Sequence, residues 1–269
     1  MRVIDAPFMQ TFMRWASEAC ARGWHERNGG NLSYRLGPQD LKALGEQPAP
    51  VGPWQPLSMS VPALAGDSLL ITGQGSYMRN IALSPEDNTG IIIIDAAGRN
   101  FALVWGLAHS GRPSSELPTH LLCQAAQKSA AGGRGIYHAH PPNLIALTFV
   151  LPPDARRFTR ELWNMMPECP MVFPEGLGLI PWRVPGGAHI AQESAKLMRK
   201  HNAIIWSRHG LFCAGRDFDE TFGLMETVEK AAEIYVKVLA MGGKRRFAYA
   251  RELKQLADQL KLPLNRDFL

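Results

Sequence analysis

Two pairs of short apolar runs are joined by connections too short to hold anything but a turn. Gly90 to Asp95 and Phe101 to Trp105 meet across an Ala-Gly turn, and Ala203 to Trp206 and Leu211 to Ala214 meet across Arg208-His209-Gly210. Parallel strands need a crossover of about a dozen residues or more, so both pairs read as antiparallel hairpins. Further short strands are expected at Leu32 to Leu36, Ser68 to Thr72 and Gly135 to His138. Helical spacing runs through Phe8, Phe12, Met13, Ala16 and Cys20, with Gly23 placed to stop the helix. Ser114-Ser115-Glu116 reads as the start of a helix reaching about Ser129, with Pro118 tolerated in its first turn. Helices are also expected around Leu144 to Leu151, over Ala155 to Trp163, through Lys200 after a Pro- and Gly-rich stretch from Pro167 to Gly187, and from Phe218 to about Met241. Pro38 to Pro62, with its six prolines, reads as a long irregular excursion. With no repeat, low-complexity tract or linker, residues 1–269 read as one α/β domain with adjacent antiparallel strands.

Composition excludes several function classes. Of the 269 residues 46% are hydrophobic and 20% charged, which rules out a disordered or collagen-like chain. The formal charge, 29 − 24 = +5, is spread along the whole sequence and is too dilute for a nucleic-acid footprint, although it suits a phosphorylated small molecule. The tightest basic run, Lys244-Arg245-Arg246, reads as a solvated stretch after a helix. The longest apolar stretch, Leu144 to Leu151, is eight residues long, against the roughly 20 needed to cross a bilayer. Asp5, Gln10, Arg14 and Glu18 interrupt any signal-peptide core, so a cytoplasmic protein without membrane partners is expected. Cys20, Cys123, Cys169 and Cys213 are scattered without a C-x-x-C pair and read as reduced core residues.

Several residues could carry chemistry. His138 and His140 lie at i and i+2 on a strand end, so both imidazoles point to one face and can meet one ion; a packed or solvated pair is the alternative. His209, in a turn between two apolar strands, is either a third ligand or a polar turn residue. The remaining histidines are left structural, with His120, one helical turn from Glu116, the nearest competitor. Three histidines with an open fourth position are the pattern of catalytic zinc, and Glu116 is the leading proton acceptor, its alternative being a capping residue beside Ser114 and Ser115. Glu168 lies beside Cys169 between two prolines and reads by default as an exposed loop residue. Asn28-Gly29-Gly30-Asn31 and Gly73-Gln74-Gly75-Ser76 can each leave backbone N–H groups free to nest an anion, or be simple turns; neither matches a P-loop or dinucleotide fingerprint.

In combination these strings resemble a known family. Gly-Trp-His-Glu-Arg-Asn-Gly-Gly-Asn (23–31), Ser-Ser-Glu-Leu-Pro-Thr-His (114–120), His-Ala-His-Pro-Pro-Asn (138–143), Phe-Pro-Glu-Gly-Leu-Gly (173–178) and Arg-His-Gly (208–210), in this order, resemble the class II aldolase/adducin family. The match runs from the first helix to about Gly243 and extends to Phe158-Thr159-Arg160-Glu161-Leu162-Trp163, Pro181-Trp182, Val184-Pro185-Gly186 and Glu220-Thr221-Phe222-Gly223-Leu224. The fold it implies is a single-domain αβα sandwich with a mostly antiparallel central sheet. It makes His138, His140 and His209 the ligands of one Zn²⁺ per subunit and Glu116 the catalytic base. Asn28, Gly30, Asn31, Ser114 and Ser115 would hold the phosphate together with the Gly73 to Gly75 loop, including Gln74 and Gly75. Glu168 matches a glutamate that assists at the aldehyde end from a neighbouring subunit, in a homotetramer. The family's phosphate loop is Gly-Ser-Gly-Lys, whereas here it is Gly-Gln-Gly-Ser, which moves the hydroxyl donor or replaces it with an amide. The implied reaction is metal-dependent retro-aldol cleavage of a sugar phosphate, L-rhamnulose 1-phosphate, to dihydroxyacetone phosphate and L-lactaldehyde. A second deoxy-ketose phosphate, a binding head that has kept the scaffold, and a zinc hydrolase are the competing readings.

Overall fold

Both short connections turn the chain as their length requires. In the computed structural model, which describes residues 1–44, 49–109, 111–130, 132–247 and 250–269, β4 (Thr89–Ile94) pairs antiparallel with β5 (Asn100–Gly106), and β8 (Ala203–Trp206) with β9 (Gly210–Gly215). The first turn is tied by Asp95, whose Oδ1 accepts from the N–H of Arg99 at 2.7 Å, and by Gly98 at φ +66°, where a side chain would strike Val61 and Pro62. With β1 (Asn31–Arg35), β2 (Gln55–Pro56), β3 (Ser68–Thr72), β6 (Gly135–Ala139) and β7 (Gly178–Ile180) these strands form one sheet in the order β2-β5-β4-β3-β1-β6-β9-β8-β7. Only the β7–β8 pair is parallel, so the mostly antiparallel sheet expected from the hairpins is what forms.

Ten α-helices cover the sheet among the described residues: α1 (Pro7–Ala21), α2 (Pro38–Ala43), α3 (Pro85–Asn88), α4 (Leu117–Ala130), α5 (Pro142–Val150), α6 (Ala155–Trp163), α7 (Glu168–Val172), α8 (Ala188–Met198), α9 (Phe218–Ala240) and α10 (Ala250–Leu260). The alternation of strand side chains sorts them into two layers. Tyr137, Ala139, Leu211 and Cys213 face the larger core beneath α1, α5, α6 and α9, whereas Ile136, Phe212 and Ala214 face the layer built from α4 and α8. A further cluster joins Leu69, Ile71, Ile92 and Ile94 to Leu117 and Leu121 of α4. The result is an αβα sandwich. In the larger core Trp15 packs against Phe218, Phe222 and Tyr137 at ring separations of 5.0, 5.1 and 5.9 Å, and Tyr34 stacks on Phe218 at 4.2 Å. Each such aromatic pair contributes about 0.5–1.5 kcal/mol beyond the area it buries.

The structure revises four expectations. The 38–62 excursion is not wholly irregular: it opens with α2 and contributes the edge strand β2, with residues 45–48 outside the described set. The 167–187 stretch holds α7 and the short parallel strand β7, too brief to leave a periodicity. The helix after Ser114 begins at Leu117, which leaves Glu116 just ahead of its first turn. Lys244 is not solvated: its side chain is 12% exposed, pairs with buried Glu161 and lies 5.1 Å from the centres of the Tyr235 and Phe247 rings. Cys123, Cys169 and Cys213 are buried and Cys20 half-buried, all as free thiols. Among the described residues no helix is long and apolar enough to cross a membrane.

Candidate active site

Strand register brings the candidate residues to one end of the sheet. His138 on β6 lies opposite Asn31 at the start of β1 and opposite Phe212 on β9. β3 ends beside them, with the hydroxyl of Thr72 accepting from the N–H of Leu32 at 3.3 Å, and delivers the 73–76 loop to the same edge. The Gly73–Pro113 bridge then holds the 114–116 turn alongside. The cleft so formed is small, about 160 Å³, and is lined by Asn28 to Asn31, Gly73 to Gly75, Ser114 to Glu116 and the three histidines at 138, 140 and 209. Of the twelve site residues expected from the sequence, eleven meet here; the twelfth, Glu168, is exposed at the start of α7, outside this lining.

The three imidazoles converge. Their ring centres are 4.9–5.1 Å apart, and one nitrogen from each falls within 4.8 Å of the others. The far nitrogens of two of them are held: Nδ1 of His138 bonds the carbonyl of Leu211 at 3.1 Å, and Nδ1 of His140 bonds Glu26 Oε1 at 2.7 Å. Their Nε2 atoms are buried without a hydrogen-bond partner, as is Nδ1 of His209. Buried nitrogens left unpaired beside one another are costly unless something fills the space between them, and outer partners on the far nitrogens are what orient metal-bound histidines. The donor set therefore fits a divalent ion. Burial pushes the imidazolium form of His138 well below its ordinary range and that of His209 down to about 4, with the neighbouring imidazoles adding to the effect. Both rings are neutral at pH 7, the form a metal needs.

Glu116 is buried and faces this triad. Its Oε2 accepts from Nδ2 of Asn31 at 2.8 Å and lies 3.8 Å from Nε2 of His138. Burial raises the pKa of its carboxyl, and the Asn31 amide opposes that rise. Its carboxylate does not cap α4; the hydroxyl of Ser114 instead accepts from the N–H of Glu116 at 3.2 Å. A carboxyl with raised proton affinity beside a candidate metal centre is suited to passing a proton to and from a bound carbon acid.

The two anion loops are less open than their sequences suggest. The N–H of Gly29 bonds Glu26 O, that of Gln74 bonds Arg112 O, and that of Ser76 bonds Gly73 O. Among the described residues the N–H groups of Gly30, Gly75 and Ser115 make no hydrogen bond and remain available. Gly30 is fixed at φ +74° with the His25 ring and the carbonyl of His138 packed where a side chain would stand. His25, expected as a structural residue, and Tyr137, which carries no sequence signal of its own, both shape this loop: Nδ1–H of His25 donates to Gly29 O at 2.9 Å and its Nε2 accepts from the Tyr137 hydroxyl at 2.8 Å.

Residues 10–236 match the family model for the class II aldolase and adducin N-terminal domain. The chain belongs to the class II aldolase family. This class II aldolase is 41% identical over 262 residues to the rhamnulose-1-phosphate aldolase of Klebsiella pneumoniae, covering 97% of this chain and 95% of that protein. It is 42% identical over 254 residues to the rhamnulose-1-phosphate aldolase of Escherichia coli O157:H7, covering 94% of this chain and 93% of that one. Among solved structures it resembles a sugar-phosphate aldolase from Thermotoga maritima, with a TM-score of 0.74 and 26% identity over 87% of this chain and 97% of that one. The fold is shared with L-fuculose-1-phosphate aldolase from Thermus thermophilus, at a TM-score of 0.58 and 21% identity over 88% and 97% of the two chains.

Proposed function

We propose that this class II aldolase cleaves L-rhamnulose 1-phosphate between C3 and C4, releasing dihydroxyacetone phosphate and L-lactaldehyde. The observation that carries the reading is the convergence of three imidazoles around a common point, one buried carboxyl and unpaired backbone N–H donors in a single cleft. The rhamnulose-1-phosphate aldolases to which the chain is about 41% identical supply the sugar.

His138, His140 and His209 would hold a divalent ion, which we take to be Zn²⁺, one per subunit. Such an ion, when bound, supplies Lewis-acid stabilisation of the negative charge that develops on the ketose oxygens as the C3–C4 bond breaks. The phosphate is placed by the N–H groups of Gly30, Gly75 and Ser115, with the side chains of Asn28, Asn31, Gln74 and Ser114 around it. Glu116 then exchanges a proton with the carbon that cleavage leaves electron-rich, and its burial keeps that proton from bulk water. No lysine Schiff base is needed.

We further place the working enzyme in the cytoplasm as a homotetramer, in which Glu168 from one subunit reaches the aldehyde end of a neighbour's cleft. In support, exposed apolar side chains border His209: the N–H of Arg208 bonds Thr148 Oγ1 at 2.9 Å beside Phe149 and Val150, 68% and 64% exposed, and its guanidinium lies 5.7 Å from the centre of the Trp182 ring. A coupled assay for dihydroxyacetone phosphate release decides the main reading. Cleavage of L-rhamnulose 1-phosphate that is lost with chelator, restored by zinc and absent in Glu116→Ala is expected. Zinc binding without release, or release only from L-fuculose 1-phosphate, refutes the assignment.

A further inference from the structure

We infer that His120 is a positioning residue for the aldol reaction, its Nε2–H fixing the Asn31 amide so that Nδ2–H of Asn31 is held on the Glu116 carboxyl. The inference rests on the aldolase reading of the cleft, but it comes from a buried polar chain that runs away from the cleft into the α4 layer. Nε2 of His120 is 2.5 Å from Asn31 Oδ1 and its Nδ1 is 2.8 Å from Ser33 Oγ. Gln124 Nε2 bonds the same Ser33 oxygen at 3.2 Å and the carbonyl of Arg134 at 2.8 Å. All five side chains, at 31, 33, 116, 120 and 124, are buried, and His120 and Gln124 are fully so.

With Asn31 Nδ2–H donating to an ionised Glu116 carboxylate, hydrogen-bond direction leaves one consistent assignment. The Gln124 amide N–H donates to Ser33 Oγ, so the Ser33 hydroxyl is free to donate to Nδ1 of His120. The ring then carries its proton on Nε2 and donates to Asn31 Oδ1, which turns the Asn31 NH₂ toward Glu116. With the amide reversed, Oδ1 would face a carboxylate oxygen and the NH₂ would face another N–H, so two bonds would become two repulsions. Burial pushes the His120 imidazolium down to about 3, so the ring stays neutral and the donor order holds across the working range of an enzyme. A ring that served only to fill the core would need neither nitrogen placed.

Three measurements on the full-length holoenzyme test this. In ¹⁵N NMR of the wild type, His120 shows a protonated Nε2 and an unprotonated Nδ1. His120→Leu, which keeps much of the ring's bulk but no nitrogen, lowers kcat about 10- to 100-fold with KM and metal content little changed. His120→Gln, whose amide can donate to Asn31 and accept from Ser33, recovers most of that loss. A protonated Nδ1 in the wild type overturns the inference without any variant having to fold. Wild-type kcat in His120→Leu, or a Gln variant no better than the Leu one, overturns it as well. Wild type that cleaves no ketose 1-phosphate removes the aldolase reading and the positioning role together, whereas an active wild type with an unimpaired Leu variant removes the positioning role alone.

Discussion

Acid should destabilise this protein through its buried neutral histidines, and His120 allows the effect to be isolated. In an unfolded chain an imidazole titrates near 6.5; in the fold burial brings His120 down to about 3. Between those values the unfolded state holds a proton that the folded state refuses, so stability rises with pH across the window and is lost as pH falls below about 6.5. Integrated from pH 8 to pH 5, one such group removes about 2 kcal/mol. His25, brought down to about 4 by burial against its bond to Gly29, removes a similar amount, and the unliganded His138 and His209 act in the same direction. The assay is urea unfolding of chelator-treated wild type and His120→Gln at pH 8 and pH 5. The glutamine costs stability at pH 8 because the network is rebuilt imperfectly, but it cannot take up a proton. The gap between the two proteins should therefore narrow by about 2 kcal/mol at pH 5, with the other histidines cancelling in the difference. A gap of unchanged size at the two pH values would refute the claim that the buried ring is held neutral.

The cleft and the core give further expectations. Glu116→Gln should lower kcat by about 10²- to 10⁴-fold with metal content retained, since the three imidazoles are untouched; elemental analysis beside the coupled assay checks both halves. Gly30→Ala forces a side chain into a φ +74° position against the His25 ring, so a cost of about 1–3 kcal/mol in thermal melting and a raised KM are expected, and a wild-type KM would count against the loop's role. Glu229 accepts from Nδ2 and the N–H of Asn143 at 2.8 and 3.0 Å and from the N–H of Leu144 at 2.9 Å, closing the first turn of α5; Glu229→Ala should cost about 1.5–3 kcal/mol in urea unfolding. Removing the ion should lower the melting temperature as well as abolish cleavage, and zinc should restore both, because an ion bound only by the folded state stabilises it by mass action.

Much of the sheet was legible because its signals are local. The hairpins at 90–105 and 203–214, the β3 strand and α6 fall within a residue or two of their expected places, since each rests on apolar alternation, helical period or a short turn. What escaped was set by tertiary contact. β7 is three residues long and exists because β8 offers a parallel edge, and β2 is two residues at the sheet's rim. Lys244 reads as solvated in a Lys-Arg-Arg run, yet Glu161, 83 positions earlier, takes it into a buried pair. The site divides the same way. His138 and His140 were marked by strand spacing, whereas the function of His120, spaced from Glu116 like any surface pair, depends on Asn31 and Ser33, 89 and 87 positions away. No spacing rule reports that.

The three histidines of the cleft depend on different kinds of rigidity. His138 is held inside the sheet, stacked 4.3 Å from Phe212 across the β6–β9 ladder, so its ring is placed by strand register; a slip of one residue would turn it to the opposite face. His140 and His209 sit just beyond strand ends, where register no longer holds them, and other contacts replace it. The N–H of His140 bonds Trp24 O at 3.0 Å and its Nδ1 bonds Glu26, so the 24–26 segment before the glycine loop sets this ring. His209 follows Arg208 at φ +61°, and Gly210 lets the β8–β9 turn approach so closely that a side chain there would press on the Ala139 carbonyl and on the rings of His138 and His140. The glycine after His209 thus acts on all three imidazoles at once. It is the residue that lets the turn histidine join the strand histidine His138 and His140, just past the strand end, around a common point, and this explains in physical terms why Arg-His-Gly carries site information that a lone histidine in a turn does not.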